Sequence, residues 1–155
     1  MADRKISKIL IAEVIHEAGL LLLRNCNSIE VDYRPELTEE ELPGIIGNYD
    51  GLIVGSRLNV PGSLFELAPG LKAVAKAGSA LENIDVTAAT YRGVAVLASV
   101  GVNAVSAAEH TIALMMAASR HIALADASMK EGKWEKKKFQ GAELAGKTVG
   151  ILGLG

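Results

Sequence analysis

Short apolar runs alternate with stretches of helical spacing from the N-terminus to about residue 98, and that alternation leaves few folds open. A run of four to seven apolar residues is too short for a buried helix and reads as a buried strand. Lys8-Ile-Leu-Ile-Ala12 is the first, followed by a helical pattern from Ile15 to Arg24. A second strand spans Ile29 to Arg34 and ends at Pro35. Gly51-Leu-Ile-Val54, Leu71 to Ala77 and Val94 to Ala98 supply strands three to five. Helix starts fall between them. Thr38 with Glu41 forms a capping box, Pro61 suits a first turn running to Leu67, and Asp85 opens a helix through Tyr91. Parallel strands need such crossovers, so an α/β open parallel sheet with helices on both faces and right-handed connections is predicted.

The pattern changes after strand five. Ala104 to Met129 reads as one long helix rich in Ala, Leu and Met, apolar on nearly every face around Thr111 to Ala118. Such a helix must be covered all round, and the expected cover is a second copy of the chain, making a homodimer. The Lys136-Lys137-Lys138 run reads as a solvated face.

Composition excludes several partners. The formal charge is −2 with mixed signs, and aromatics are 4% of residues, so neither a basic face nor a base-stacking platform is expected and nucleic acid is not a partner. The N-terminal apolar run is flanked by charges on both sides and is neither a signal peptide nor a membrane span. Cys26 has no second cysteine to pair with and reads as an inert thiol, consistent with a cytoplasmic location. His16, His110 and His121 read as helix residues and share no metal-ligand spacing with acids or cysteine, so no metal is expected.

Gly146-Lys147-Thr148 leads into the apolar run Val149 to Leu152 and then Gly153-Leu-Gly155. A strand running into G-x-G is how a dinucleotide-binding βαβ unit begins. The first glycine permits the tight turn, and the second lets backbone approach a pyrophosphate.

With this ending, the stretch Ala127-Ser-Met-Lys-Glu-Gly-Lys-Trp-Glu-Lys-Lys-Lys-Phe139 resembles the D-3-phosphoglycerate dehydrogenases, within the D-isomer-specific 2-hydroxyacid dehydrogenases. Ala77-Gly78, Asn83-Ile-Asp85, Ala88-Ala-Thr90 and Ser106-Ala-Ala-Glu109 also stand where that family would place them. The resemblance implies a flavodoxin-like substrate-domain portion over 1–98. A crossing helix and the first strand of a Rossmann domain would occupy 99–155. It implies NAD-dependent oxidation of 3-phosphoglycerate, with Gly153, Gly155 and Ser106 on the cofactor side. The family's catalytic arginine, glutamate and histidine lie beyond Gly155. The chain is therefore expected to contain no catalytic residue, to be inactive alone and not to hold NAD by itself.

The ligand loops depart from the family pattern. Where the family usually shows Val-Arg-Ser, the chain has Val54-Gly55-Ser56-Arg57, so the substrate-gripping arginine is missing unless Arg57 substitutes from a different direction. The usual Ala-Gly-x-Gly-x-Asp-Asn loop is Ala77-Gly78-Ser79-Ala80-Leu81-Glu82-Asn83. The N–H groups of Ser79 and Ala80 remain able to hold a carboxylate, although Ala80 tolerates fewer conformations than glycine. The loop after strand five runs Ala98-Ser-Val-Gly-Val-Asn103 in place of Asn-x-Pro-x-Gly-Asn. The substrate side is thus expected to comprise Ser56, Arg57, Gly78, Ser79, Ala80 and Asn103, facing a small anionic substrate. The competing readings are a non-catalytic flavodoxin-like module for folding, dimerisation or interaction, and a small-anion binder using the Gly78–Ala80 backbone.

Overall fold

The computed structural model describes residues 6–153. They divide into two compact units between Gly101 and Val102.

The first unit is a five-stranded parallel sheet: β1 (Ser7–Ile11), β2 (Ile29–Tyr33), β3 (Gly51–Val54), β4 (Ala73–Lys76) and β5 (Ala95–Ala98). Its order is β2-β1-β3-β4-β5, that of flavodoxin-like sheets. Every strand falls within or against a run legible in the sequence. The connections carry α1 (Glu17–Arg24), α2 (Leu42–Ile45), α3 (Gly62–Leu67) and α4 (Val86–Tyr91). The middle of the sheet is apolar on both sides, so Leu10, Leu52, Val54 and Val74 are buried with Leu42, Ile46, Leu64 and Phe65 from the connections.

Local chemistry explains the helix starts. Asp85 Oδ1 accepts from Ala88 N–H at 2.9 Å and begins α4. His16 caps α1 rather than lying inside it, its Nδ1 accepting from Ala18 N–H at 3.2 Å. The capping box at Thr38 is half built. Glu41 reaches back to the Thr38 N–H at 2.9 Å, but the Thr38 hydroxyl donates to that same carboxylate. Regular helix starts only at Leu42, and Pro43-Gly44 keeps it to one turn before a 3-10 turn over Ile46–Asn48.

Edge strand β2 carries a polar cluster. The Tyr49 hydroxyl and the Arg34 guanidinium both donate to Asp32, at 2.5 and 3.1 Å. Arg34 first, then Tyr49, holds the Asp32 carboxyl below its ordinary value. Burial first, then Asp32, pushes the Tyr49 phenol up to about 12. A depressed carboxyl contributes stability above its unfolded pKa, and loses it as pH falls through the folded value. A raised phenol contributes stability below its unfolded value of 10.0, and loses it as pH rises through about 12. Melting temperature is therefore expected to decline at both ends of the scale. Tyr49→Phe abolishes the alkaline decline between those two pH values. An unchanged alkaline limb in that variant would clear Tyr49 of responsibility.

The second unit departs from two expectations. The stretch 104–129 is not one helix but two, α5 (Ala104–Ser119) and α6 (Ile122–Lys130). They are separated at His121, whose φ of 53° is left-handed. The cause is a returning segment. Ala142 N–H donates to the Ser119 carbonyl at 2.9 Å, taking an acceptor that a continuing helix would use. Gly141 lies so close that a Cβ there would collide with the Ser119 carbonyl and the Arg120 backbone.

Nor is Val149 to Leu152 a strand. The run is irregular, and Val149, Ile151 and Leu152 are exposed. A single apolar run has no ladder to join without neighbouring strands, and none pairs with it among the described residues. Gly155 lies outside the described residues.

No helix among the described residues is long and apolar enough to cross a membrane.

Candidate substrate site

In an open parallel sheet, ligands bind in the crevice outside the carboxyl ends of the strands, where strand order reverses. Here the order reverses between β1 and β3. The segments leaving the sheet at that end are Ala12-Glu13 after β1, Gly55 to Arg57 after β3 and Ala77 to Leu81 after β4. Contacts join these segments: Glu13 lies against Gly55, and Asn83, just past the β4 loop, donates to the Gly55 carbonyl.

The loop after β4 offers backbone donors. Ala77 N–H still donates to Val54 O at 2.8 Å, continuing the sheet ladder. The next three N–H groups, of Gly78, Ser79 and Ala80, donate to nothing among the described residues. Ser79 and Ala80 are exposed. The loop needs no left-handed residue, since Gly78 and Ala80 both have negative φ, so alanine at position 80 introduces no backbone strain. Its far side is anchored, with Ser99 N–H donating to Gly78 O at 3.0 Å. Successive free N–H groups at a turn make a concavity suited to a carboxylate.

Beneath this loop lies a buried cation. Lys76, at the end of β4, is only 3% exposed, and its Nζ donates to Asn83 Oδ1. Asn83 Nδ2 donates to the carbonyls of Gly55, at 2.8 Å, and Leu58. One amide side chain therefore ties the β3 loop to the β4 loop and satisfies the lysine. The Lys76 stem also underlies Gly78, where a Cβ would sit 3.3 Å from Lys76 Cε.

Arg57 has a different position from the one a substrate grip requires. Its guanidinium donates to Leu37 O at 2.7 Å, Pro35 O at 2.6 Å and, more weakly, Ala12 O at 3.4 Å. It pins the β2–α2 connection to the end of β1. Ser56 is exposed beside it.

The remaining candidates belong to the second unit. Asn103 is the residue before α5 and makes no side-chain cap bond, and Ser106 is exposed in the first turn. Gly153 has φ of 107° at the end of the irregular tail. The described tail forms no strand and turn, so it does not fit the cradle that a dinucleotide needs. No group of acids, cysteine and histidines among the described residues could hold a metal.

Residues 9–148 match the family model described as D-isomer specific 2-hydroxyacid dehydrogenase, catalytic domain. The chain belongs to this family. It is 45% identical over 148 residues to D-3-phosphoglycerate dehydrogenase of Archaeoglobus fulgidus, covering 96% of this chain and 28% of that protein. It is 40% identical to the human D-3-phosphoglycerate dehydrogenase, covering 100% of this chain and 29% of that one. The chain thus spans somewhat over a quarter of the length of these relatives. Among solved structures, a D-isomer specific 2-hydroxyacid dehydrogenase from Polaromonas superposes with a TM-score of 0.80 at 26% identity, over 91% of this chain and 46% of that one. D-lactate dehydrogenase from Escherichia coli superposes with a TM-score of 0.79 at 22% identity, over 96% and 48%, which speaks for the fold alone.

One residue at this end of the sheet escaped the sequence reading, Lys76. A lysine inside the apolar stretch Leu71 to Ala77 is the signal for it, because a buried strand carries a charge only for a reason. The placement of Glu13 against Gly55, the residue after β3, had no local signal.

Proposed function

We propose that this chain is the substrate-binding portion of a phosphoglycerate dehydrogenase-like oxidoreductase, which oxidises a small 2-hydroxy acid by hydride transfer to NAD. One observation carries the reading: three free N–H groups at Gly78–Ala80 stand over buried Lys76 at the carboxyl end of the sheet. Backbone donors and an ammonium together suit a carboxylate. In the reaction the C2 hydrogen leaves as hydride to the nicotinamide while the hydroxyl proton goes to a base. These residues hold the acid end of the substrate while that happens. The histidine of the sheet unit, His16, is occupied as a helix cap. The chain by itself is expected to turn nothing over and to hold no NAD, and its setting is cytoplasmic.

The same proposal includes a homodimer formed through α5 and α6. Val105, Ile112, Leu114 and Leu124 are more than half exposed, and α5 buries no residue. Apolar surface on that scale calls for a partner, and a second copy supplies it symmetrically. Light scattering is expected to give twice the chain mass. A strict monomer at high concentration would remove the dimer.

A non-catalytic module is favoured by one observation, the commitment of Arg57 to backbone carbonyls. The two readings part on a thermal shift with D-glycerate. A ligand that binds only the native state raises the melting point. At a hundredfold excess over Kd the gain is about 2.7 kcal/mol, several degrees for a chain of this size. No shift with any 2-hydroxy acid favours the module.

A further inference from the structure

In the second unit, α6 ends in a turn that folds the following loop back over it. Lys133 N–H donates to Ser128 O at 3.0 Å and Gly132 N–H to Met129 O at 2.9 Å, with Gly132 left-handed at φ 75°. Ser128 is buried, and its hydroxyl donates to Glu135 Oε2 at 2.9 Å, which fastens the loop to the helix. Between helix and loop lies a cleft of about 380 Å³. Its walls are apolar, formed by Ala125 and Met129 of α6 with Trp134 and Phe139 of the loop. Met129 is 53% exposed and Trp134 78%, so much of that surface still meets water.

The charged part of the lining is cationic in excess. Lys133, Glu135 and Lys136 line the cleft. The Glu135 carboxylate is engaged by Ser128 and by Lys138 at 3.4 Å. Lys133 is paired with Glu131 at 2.6 Å, whereas Lys136 forms no ion pair among the described residues. Over residues 131–138 four lysines stand against two glutamates.

We propose that the cleft between α6 and the 131–139 loop binds a small carboxylic acid with an apolar aromatic or aliphatic body. The body lies against Met129, Trp134 and Phe139, and the carboxylate pairs with Lys136. Clefts of about 300–1,000 Å³ with apolar walls and a few polar groups are the usual form of small-molecule sites. Covering the exposed apolar wall favours binding of hydrocarbon, and an unpaired ammonium favours an anionic end over a neutral one. The site belongs wholly to the second unit and does not depend on the dehydrogenase reading.

Trp134 is the one tryptophan in the chain, so its fluorescence reports on this cleft directly. The probes are 4-phenylbutyrate and 4-phenylbutanol, which share a body and differ in the charge at the end. A saturable change in Trp134 emission is expected with the acid, and binding of the alcohol about fivefold weaker, the upper worth of one exposed ion pair. Lys136→Gln, at an exposed side chain, is expected to bring the acid down to the level of the alcohol and to leave the alcohol unchanged. Ala125→Leu, which puts bulk into the cleft, is expected to weaken both. Equal affinity for the two probes, or acid binding untouched by Lys136→Gln, overturns the anion site. No saturable change with either probe overturns the cleft as a ligand site. Emission that shifts on dilution of the chain and responds to neither probe means that a second copy fills the cleft, and overturns the proposal as well.

Discussion

Phe65→Ala is expected to remove about 3–5 kcal/mol from the stability of the sheet unit, the range for deleting a buried aromatic side chain. Phe65 is 1% exposed, at the heart of the apolar cluster shared by the sheet and its connections. It lies in α3, a helix of six residues. A helix that short has little intrinsic stability and is held by packing. Truncation both empties space in the core and frees α3 from the residues it packs on. Urea unfolding measures the loss as a lower midpoint at unchanged slope. Phe65→Leu, which keeps much of the volume, is expected to cost clearly less. A loss below about 1 kcal/mol for the alanine variant would mean that α3 does not close the core as described.

Asn83→Ala is expected to cost about 3 kcal/mol by a different mechanism, the stranding of buried polar groups. The Lys76 ammonium loses its acceptor, and the carbonyls of Gly55 and Leu58 lose their donor. Buried charge without a partner is the most expensive of these consequences. The double variant Lys76→Met, Asn83→Ala is therefore expected to recover part of the loss, because the charge is no longer there to strand. Hydrogen exchange gives a second readout, with faster exchange across the β3–α3 loop once its tether is gone. If the double variant is less stable than Asn83→Ala alone, the lysine was not the stranded group.

The sheet was legible in the sequence because each of its strands is a local fact. Lys8 to Ala12 and Gly51 to Val54 are short apolar runs bounded by turn chemistry, and they need no knowledge of the rest of the chain. Elements that depend on distant residues were misread. The helix pattern from Ala104 to Met129 is continuous by composition, but Ala142 reaches the Ser119 carbonyl and splits it at His121. Val149 to Leu152 has the composition of a buried strand, which is a property of a run with neighbours on both sides.

The candidate site divides in the same way. The loop Gly78 to Ala80 could be placed because it follows a strand, and the structure finds its N–H groups unengaged. Arg57 could be named but not aimed. Its hydrogen bonds to Leu37 and Pro35 close a tertiary contact that spacing does not reveal. The juxtaposition of Glu13 with Gly55 arises only when β1 and β3 lie side by side.

The claim on which all of this turns is that the carboxyl end of the sheet receives the acid group of a 2-hydroxy acid. A 1H–15N NMR titration of the chain with D-glycerate reports on each backbone amide separately. The expected result is a saturable shift of the Gly78, Ser79 and Ala80 amides, with the Ile29 and Lys72 amides at the opposite end of the sheet unmoved. Saturation without movement of those three amides, or no response anywhere up to millimolar acid, would contradict it.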